Sequence, residues 1–349
     1  MRSRRGAAAT RTEAVLPFVR PSDLSRAVVQ GPSALELCAG AGGQAIGLER
    51  AGFHHAGLIE NDAAACETLR RNRPHWRVIE HDLFLPLDIA AFRGVDLLAG
   101  GLPCPPFSVA GKQLGERDER NLFEIGVEYV DQLRPRAVMF ENVRGMLEPS
   151  FAPYRARINA RLRKMGYVTD WKLLNASDFG VSQLRPRVVI VALRSADAER
   201  FAWPSLRARA PTVGEALGDL IAERGWKGAE AWATRADRIA PTVVGGSKKH
   251  GGPDLGPTRA RKAWAELGVD GLGIANHPPD PDFEGMPRLT VPMVARLQGF
   301  PADWIFTGGK TAAYRQVGNA FPPPVAAAVA SSILSALGVA SHAVRASNG

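Results

Sequence analysis

Cysteine is scarce: only Cys38, Cys66 and Cys104 occur in 349 residues, with no CxxC pair and no Cys/His cluster. An odd count without such spacing argues against both a disulfide framework and a zinc site. It fits a reducing compartment, where a thiolate can serve as a nucleophile. Long apolar runs are missing too. None approaches the ~20 residues needed to cross a bilayer. The N-terminal stretch MRSRRGAAATRTEAV is basic but has no apolar segment after it, so no secretory signal is expected. Residues 1–32 read as a basic arm, either solvated or touching phosphates. No internal repeat is present, and no low-complexity tract occurs beyond the arm.

What remains is a chain with 45% hydrophobic and 23% charged residues, a net charge of +9 and a pI near 9.9. The composition is that of a soluble globular protein, and the charge points to a polyanionic partner. The surplus is concentrated. Residues 134–194 hold twelve Lys/Arg against four Asp/Glu, and residues 235–262 hold seven against two. Any one such run could simply be a solvated face.

Through the first two hundred residues, short apolar runs alternate with helical patterns. Strands are expected at 33–40, 55–60, 76–80, 95–101, 136–143, 167–175 and 187–193. Helices are expected at 43–52, 62–72, 120–133 and 153–165. This alternation predicts an α/β fold, with a mostly parallel sheet covered by helices on both faces and ligands beyond the strands' carboxyl ends. Residues 201–289 are rich in Gly, Pro, Arg and Trp with weak periodicity, which predicts a smaller irregular domain. Order returns at 288–300 and at 322–337, a helix with Pro at its start. The expected division is an arm (1–32), an α/β domain carrying the strand-end loops (33–199), a second domain (200–289) and a C-terminal segment (290–340) that ends in the helix at 322–337.

Four sites beside strand ends carry chemistry, the first made of a glycine loop and two acids. Ala39-Gly40-Ala41-Gly42-Gly43 follows the first strand, where glycines let a ligand approach the backbone and leave the next helix N-terminus open. It does not match a dinucleotide fingerprint well. Glu60 ends the second strand, placed to accept from ribose hydroxyls, and Asp82 follows the third, placed to accept from an adenine amino group. Each acid alone could be a helix N-cap; the three features together imply an adenosine-containing cofactor. After the fourth strand comes Gly100-Gly101-Leu102-Pro103-Cys104-Pro105-Pro106-Phe107-Ser108. Cys38 and Cys66 read as small buried hydrophobes. Cys104, between prolines in a polar loop, reads as a presented nucleophile that nearby positive charge would help ionise. Glu141-Asn142-Val143 ends the fifth strand, one strand away. Gln183-Leu184-Arg185-Pro186-Arg187 leads into the last strand, with its two arginines on one face.

These motifs, in this order, resemble the DNA (cytosine-5) methyltransferases, bacterial restriction-modification type, over about residues 33–337. LELCAGAGGQAIGLERAGF is similar to their cofactor loop, GLPCPPFSVAG to their nucleophile loop, ENV to their catalytic acid and QLRPR to their arginine pair. RLTVPMVARLQGFP and YRQVGNAFPPPV are similar to their two C-terminal motifs. The resemblance implies a Rossmann-like methyltransferase sheet and S-adenosylmethionine as methyl donor, with S-adenosylhomocysteine as product. It puts Cys38, Ala39, Gly40, Gly42 and Gly43 in the cofactor loop. Glu60, Asn61, Asp82, Leu83, Pro103 and Asn319 complete the cofactor contacts. It implies a Cys104 thiolate adding to C6 of a flipped-out cytosine, Glu141 at N3, Arg187 at O2, and Arg185 holding the thiolate, base or loop electrostatically. Asn142 would orient the loop. The resemblance makes 33–199 the catalytic and cofactor-binding domain, puts 201–287 where the family keeps its target-recognition domain, and implies that the last helix of 290–340 returns to the catalytic domain. Ser108, Arg235, Arg238, Lys248, Lys249, Arg259 and Arg261 are the expected DNA contacts, with Lys262 in the same basic run. No metal is expected. The implied partner is double-stranded DNA, with a possible cognate restriction endonuclease acting on the same site without stable binding. A cytoplasmic, nucleoid-associated monomer without membrane contact is expected.

Three positions depart from the family pattern. Cys38 stands where Phe is common near the adenine, Asn61 where an aromatic often stacks on it, and Ala320-Phe321 where a small polar pair follows the asparagine. Phe321 could restore some of the lost apolar contact. Competing readings fare less well. A tRNA-methylating branch of the family would keep the chemistry, but the size of the 201–287 insert and the lack of that branch's local signature argue against it. A non-catalytic DNA-binding homologue would not need Cys104, Glu141, Arg185 and Arg187 together. A nicotinamide oxidoreductase would have no use for the cysteine loop.

Overall fold

Strand β1 (Ser33–Leu37) is buried along almost its whole length, as the middle of a parallel sheet requires. A computed structural model describes residues 31–103, 121–205, 209–246 and 252–339. After β1 come α1 (Gly43–Ala51), β2 (His54–Glu60), α2 (Ala63–Asn72), β3 (Val78–Glu80), β4 (Leu97–Gly101), α3 (Leu122–Leu133), β5 (Ala137–Val143), α4 (Ala152–Lys164), β6 (Tyr167–Asn175) and β7 (Pro186–Arg194). The helices α5 (Ser195–Ala198), α6 (Val213–Ala222), α7 (Ala229–Arg235), α8 (Thr258–Glu266), α9 (Val291–Leu297), α10 (Lys310–Asn319) and α11 (Pro323–Ala336) complete the chain.

The seven strands lie in the order β3-β2-β1-β4-β5-β7-β6. β1 to β5 pair in parallel, while β7 runs antiparallel to both β5 and β6. The sheet is therefore mostly parallel, as expected, with one reversed strand. The order reverses beside β1, where its carboxyl end parts from β2 on one side and β4 on the other. That crevice is where open α/β sheets hold ligands.

Local chemistry sets the element boundaries. Gly42 has φ 90°, which favours glycine, and starts α1 with no side-chain cap, so the first amides of α1 stay available to a ligand. Asp62 caps α2 by accepting from Ala64 N and Ala65 N, and Asn121 caps α3 by accepting from Phe123 N. α1 lies tight on α11: a side chain at Gly43 would strike Phe321 O, and one at Gly47 would strike Ala326 Cβ. Thr212 and Glu215 form a capping box that starts α6, inside the stretch read as irregular. That stretch consists of loops around α6, α7 and α8. One apolar cluster contains Val213, Leu217, Trp232 and Trp264 together with Ile46, Leu58, Leu69 and Trp76. Among the described residues, one stretch, Lys310–Ala336, is long and apolar enough to span a bilayer. It is two core helices, α10 and α11, meeting at Ala320–Pro322.

Candidate active site

A cavity of about 500 Å³ opens at the carboxyl ends of β1, β2, β3, β4 and β5. Its walls carry Cys38, Ala39, Gly40 and Gly43 after β1, Glu60 and Asn61 after β2, and Asp82 and Leu83 after β3. Pro103 lies after β4, and Glu141, Asn142, Val143 and Arg187 line the side towards β5 and β7. Asn319, with Arg315, Gln316 and Phe321, closes it from the C-terminal segment. The volume suits a nucleoside-sized ligand. Of the residues expected around a cofactor, Gly42 alone is turned elsewhere. A side chain there would meet Leu69 and Trp304, so its role is the turn itself.

Glu60 is nearly buried and already committed. Its Oε2 accepts from Gly40 N at 2.8 Å, and its Oε1 accepts from Asn61 N at 2.9 Å and Asp62 N at 2.8 Å. A carboxylate offers roughly four acceptor directions. Three are taken, so Glu60 can accept one further hydroxyl, through Oε2, rather than the two expected from sequence. It also staples the β1 loop to the β2 loop. Asp82 accepts from Phe84 N through Oδ1 at 3.0 Å. Cys38 holds φ 52°, a left-handed conformation that is strained for any residue other than Gly, and burial pushes its thiol pKa far up. It is an apolar wall rather than a nucleophile. Phe321 lines the cavity but packs into the core with Val325 and Val329.

Arg315 and Gln316 escaped the sequence reading, and so did two residues buried beside the glycine loop. Glu36 lies 1% exposed on β1, and Gln44 lies 3% exposed on α1. Glu36 Oε2 and Gln44 Oε1 are buried without a hydrogen-bond partner. Buried acceptors of this kind call for a donor. The sequence did carry a signal, because Glu36 is a charged residue inside the otherwise apolar strand SALEL. Burial, and then the charge of Glu60, push the Glu36 pKa well up. A raised folded-state value favours folding below about pH 4.5, and that advantage is lost as pH rises through it. We expect Glu36→Gln to gain about 1–3 kcal/mol over wild type at neutral pH without cofactor, and little at pH 4. Urea unfolding at both pH values checks this, and an equal gain at both would contradict it.

On the other side of the cavity, Glu141 lies near the carboxyl end of β5. Arg187 Nε approaches Glu141 Oε1 at 2.7 Å, both side chains being largely buried. Desolvation raises the Glu141 pKa, opposed by Arg187 and Arg185. The outcome is a carboxyl group that holds a proton more readily than usual beside a fixed cation. β4 and β5 pair in register with Gly101 opposite Glu141, so the strand leading to Pro103 runs beside the acid. Asn142 Nδ2 donates to Leu102 O at 2.9 Å, holding the start of the cysteine loop. Cys104 and Ser108 lie outside the described residues.

Arg185 differs from what its motif suggests. It is 1% exposed and does not line the cavity. Its Nη1 donates to Val243 O at 2.7 Å and its Nη2 to Gly318 O at 2.8 Å. Burial, with Arg187 adding, pushes its pKa well down. It binds segments together and reaches Glu141 only through its field.

The expected DNA contacts are scattered. Arg238 pairs with Glu266 at 3.2 Å, and Arg235 donates to Ala265 O at 3.4 Å. Arg259 stands exposed on α8, while Arg261 lines a smaller cavity with Val244, Gly246 and Asp254. Lys248 and Lys249 lie outside the described residues.

Solved structures with this fold include the Dnmt2 methyltransferase of S. pombe, with a TM-score of 0.61 at 19% identity, covering 88% of this chain and 99% of that one. A Dnmt2 of Spodoptera frugiperda matches at 0.60 and 16%, covering 87% and 100%. The fold, with its cavity at the strand ends, is that of the S-adenosylmethionine-dependent methyltransferases. Residues 33–335 match the family model for C-5 cytosine-specific DNA methylase. The Type II methyltransferase M.NaeI of Lentzea aerocolonigenes is 57% identical over 314 residues, 88% of this chain and 76% of that one. M.NgoMIV of Neisseria gonorrhoeae is 52% identical over 309 residues, 87% and 98%. The chain belongs to the C-5 cytosine-specific DNA methylases and is a DNA (cytosine-5-)-methyltransferase.

Proposed function

We propose that the chain methylates C5 of a flipped-out cytosine within a specific double-stranded DNA sequence, through a covalent bond between Cys104 and C6. The observation that carries this reading is the buried Glu141–Arg187 pair at the end of β5, in one cavity with Pro103, Glu60 and Asp82. Cytosine C5 is a poor nucleophile. Addition of the Cys104 thiolate to C6 breaks the ring's aromaticity and moves electron density to C5. Glu141, with its raised pKa, gives N3 the hydrogen bond or proton that stabilises this charge, while Arg187 orients Glu141 and can reach O2. When bound, S-adenosylmethionine supplies an electrophilic methyl group. Loss of the C5 proton to solvent then expels the Cys104 sulfur and restores the ring.

The cavity suits that cofactor. Leu83 and Cys38 give apolar walls, Glu60 Oε2 keeps one acceptor direction for a ribose hydroxyl, and the unpartnered Glu36 Oε2 and Gln44 Oε1 suit the methionyl ammonium group. The target base must leave the duplex; methyltransferases are the general example of base flipping, at a cost of a few kcal/mol. Phosphate contacts from the basic segments would offset that cost. Residues 200–289 are read as the target-recognition domain, with Arg259 and Arg261 on α8 as described candidates for contact. The Type II methyltransferase relatives support a restriction-modification setting, in which a cognate restriction endonuclease acts on the same site without stable binding, and the chain is read as a monomer. Bisulfite sequencing of DNA from a host expressing the protein is expected to show near-complete cytosine protection at one short motif. Random protection, or none with active protein, would overturn the reading.

A further inference from the structure

Three side-chain anchors hold the segment 243–246. Arg185 Nη1 donates to Val243 O at 2.7 Å, the Tyr314 hydroxyl lies 3.1 Å from Val244 O, and Asn319 Nδ2 donates to Gly246 O at 3.1 Å. From the amide side, Val243 N donates to Gln183 Oε1 at 2.8 Å. The same Tyr314 hydroxyl lies 2.6 Å from Asp254 O, and its single proton is shared between the two carbonyls, chiefly with the nearer Asp254 O, so one buried group touches both Val244 and Asp254. Tyr314 is 0% exposed, and burial keeps its hydroxyl protonated, able to donate. The approach is close enough to exclude side chains. A Cβ at Gly318 would lie 2.5 Å from Gly245 Cα, and one at Gly245 would lie 2.5 Å from Asn319 Oδ1 and 2.7 Å from Arg315 O.

The helix that makes these contacts has a second face. Tyr314 and Gly318, four residues apart on α10, meet the 243–246 segment, while Arg315, Gln316 and Asn319 line the cofactor cavity. α10 is one rigid turn-to-turn unit, so displacement at one face is transmitted to the other. Asn319 belongs to both faces.

We propose that Tyr314 is a positioning residue that couples the cofactor cavity to the DNA-contacting segment, by clamping Val244 and Asp254 to the helix that closes the cavity. The coupling rests on reading 200–289 as the DNA-contacting region. A cofactor that orders α10 thereby orders the segment, and DNA that fixes the segment tightens cofactor binding by the same factor, as linkage requires.

The experiment measures affinity for a duplex carrying the mapped site, with and without S-adenosylhomocysteine, by fluorescence anisotropy. Wild type is expected to bind DNA about 5- to 150-fold more tightly with S-adenosylhomocysteine. In Tyr314→Phe that gain falls to about 3-fold or less, whereas affinity for S-adenosylhomocysteine without DNA stays within about 2-fold, because the hydroxyl does not touch the cavity. Gly245→Ala pushes the segment away from Asn319 Oδ1 and Arg315 O on the same helix, and is expected to lose the gain with Tyr314 intact. If Tyr314→Phe keeps the wild-type gain, the proposal is overturned, whatever Gly245→Ala does. It is equally overturned if Tyr314→Phe weakens S-adenosylhomocysteine binding as much without DNA as with it, since that marks a merely structural role. A wild type that methylates DNA but shows no gain sinks the coupling alone; one that neither binds nor methylates DNA sinks the functional reading as well.

Discussion

Glu141→Gln is expected to lower kcat by about 10²- to 10⁴-fold, the range of a positioned general acid. Gln keeps the shape and can still offer an N–H to N3, but it cannot pass a proton. The loss therefore measures what the carboxyl group does beyond filling space. The site is built for that proton: burial raises the Glu141 pKa, and Arg187 and Arg185 restrain the rise without abolishing it. The sign gives a second measurement. The protonated acid is the competent form, so this group contributes a loss of rate as pH climbs through its raised value, and the Gln variant lacks that alkaline limb. Arg187 would keep only a neutral partner in the variant, so thermal stability should drop moderately. Affinity for S-adenosylhomocysteine should stay within about 3-fold, since the acid grips the base and not the cofactor. A variant turning over within tenfold of wild type would remove Glu141 from the chemistry.

Cys104→Ala is expected to reduce methyl transfer by on the order of 10⁴-fold or more, the scale seen when a covalent nucleophile is deleted. Without the sulfur, nothing raises the electron density at C5. DNA binding should survive, because phosphate contacts supply most of the affinity. The complementary probe is DNA with 5-fluorocytosine at the target. Fluorine cannot leave C5 as a cation, so wild-type protein should become trapped as an adduct stable to denaturing gels, and the Ala variant should not. Full turnover in Cys104→Ala, or no adduct from active wild type, would exclude attack at C6.

Much of this was readable one residue at a time. Strand content placed β1 through β7 within a few residues, because the central strands β1, β4, β5 and β7 are buried, nearly continuous apolar runs bounded by loop-forming residues. Glu60, Asp82 and Glu141 were legible because each follows such a run at a carboxyl end. Glu36 and Gln44 were not, since the burial that leaves an acceptor unpartnered is a property of packing, although a Glu inside SALEL was a warning. The capping box Thr212–Glu215 stood in the sequence and marked α6, but the Gly- and Pro-rich surroundings obscured it. Arg185 and Arg187 looked equivalent at alternate positions. Only the neighbours distinguished them, one meeting Glu141 and the other two backbone carbonyls.

The order of six motifs and the chemistry of their residue types were properties of the sequence alone, because a proline-bound cysteine, a strand-end acid and a glycine turn have narrow uses. Which acceptors remain free, which arginine reaches the acid and which helix bridges two sites were decided by the tertiary structure. Those depend on what lies across the sheet or the chain, and Tyr314 between Val244 and Asp254 has no local signature.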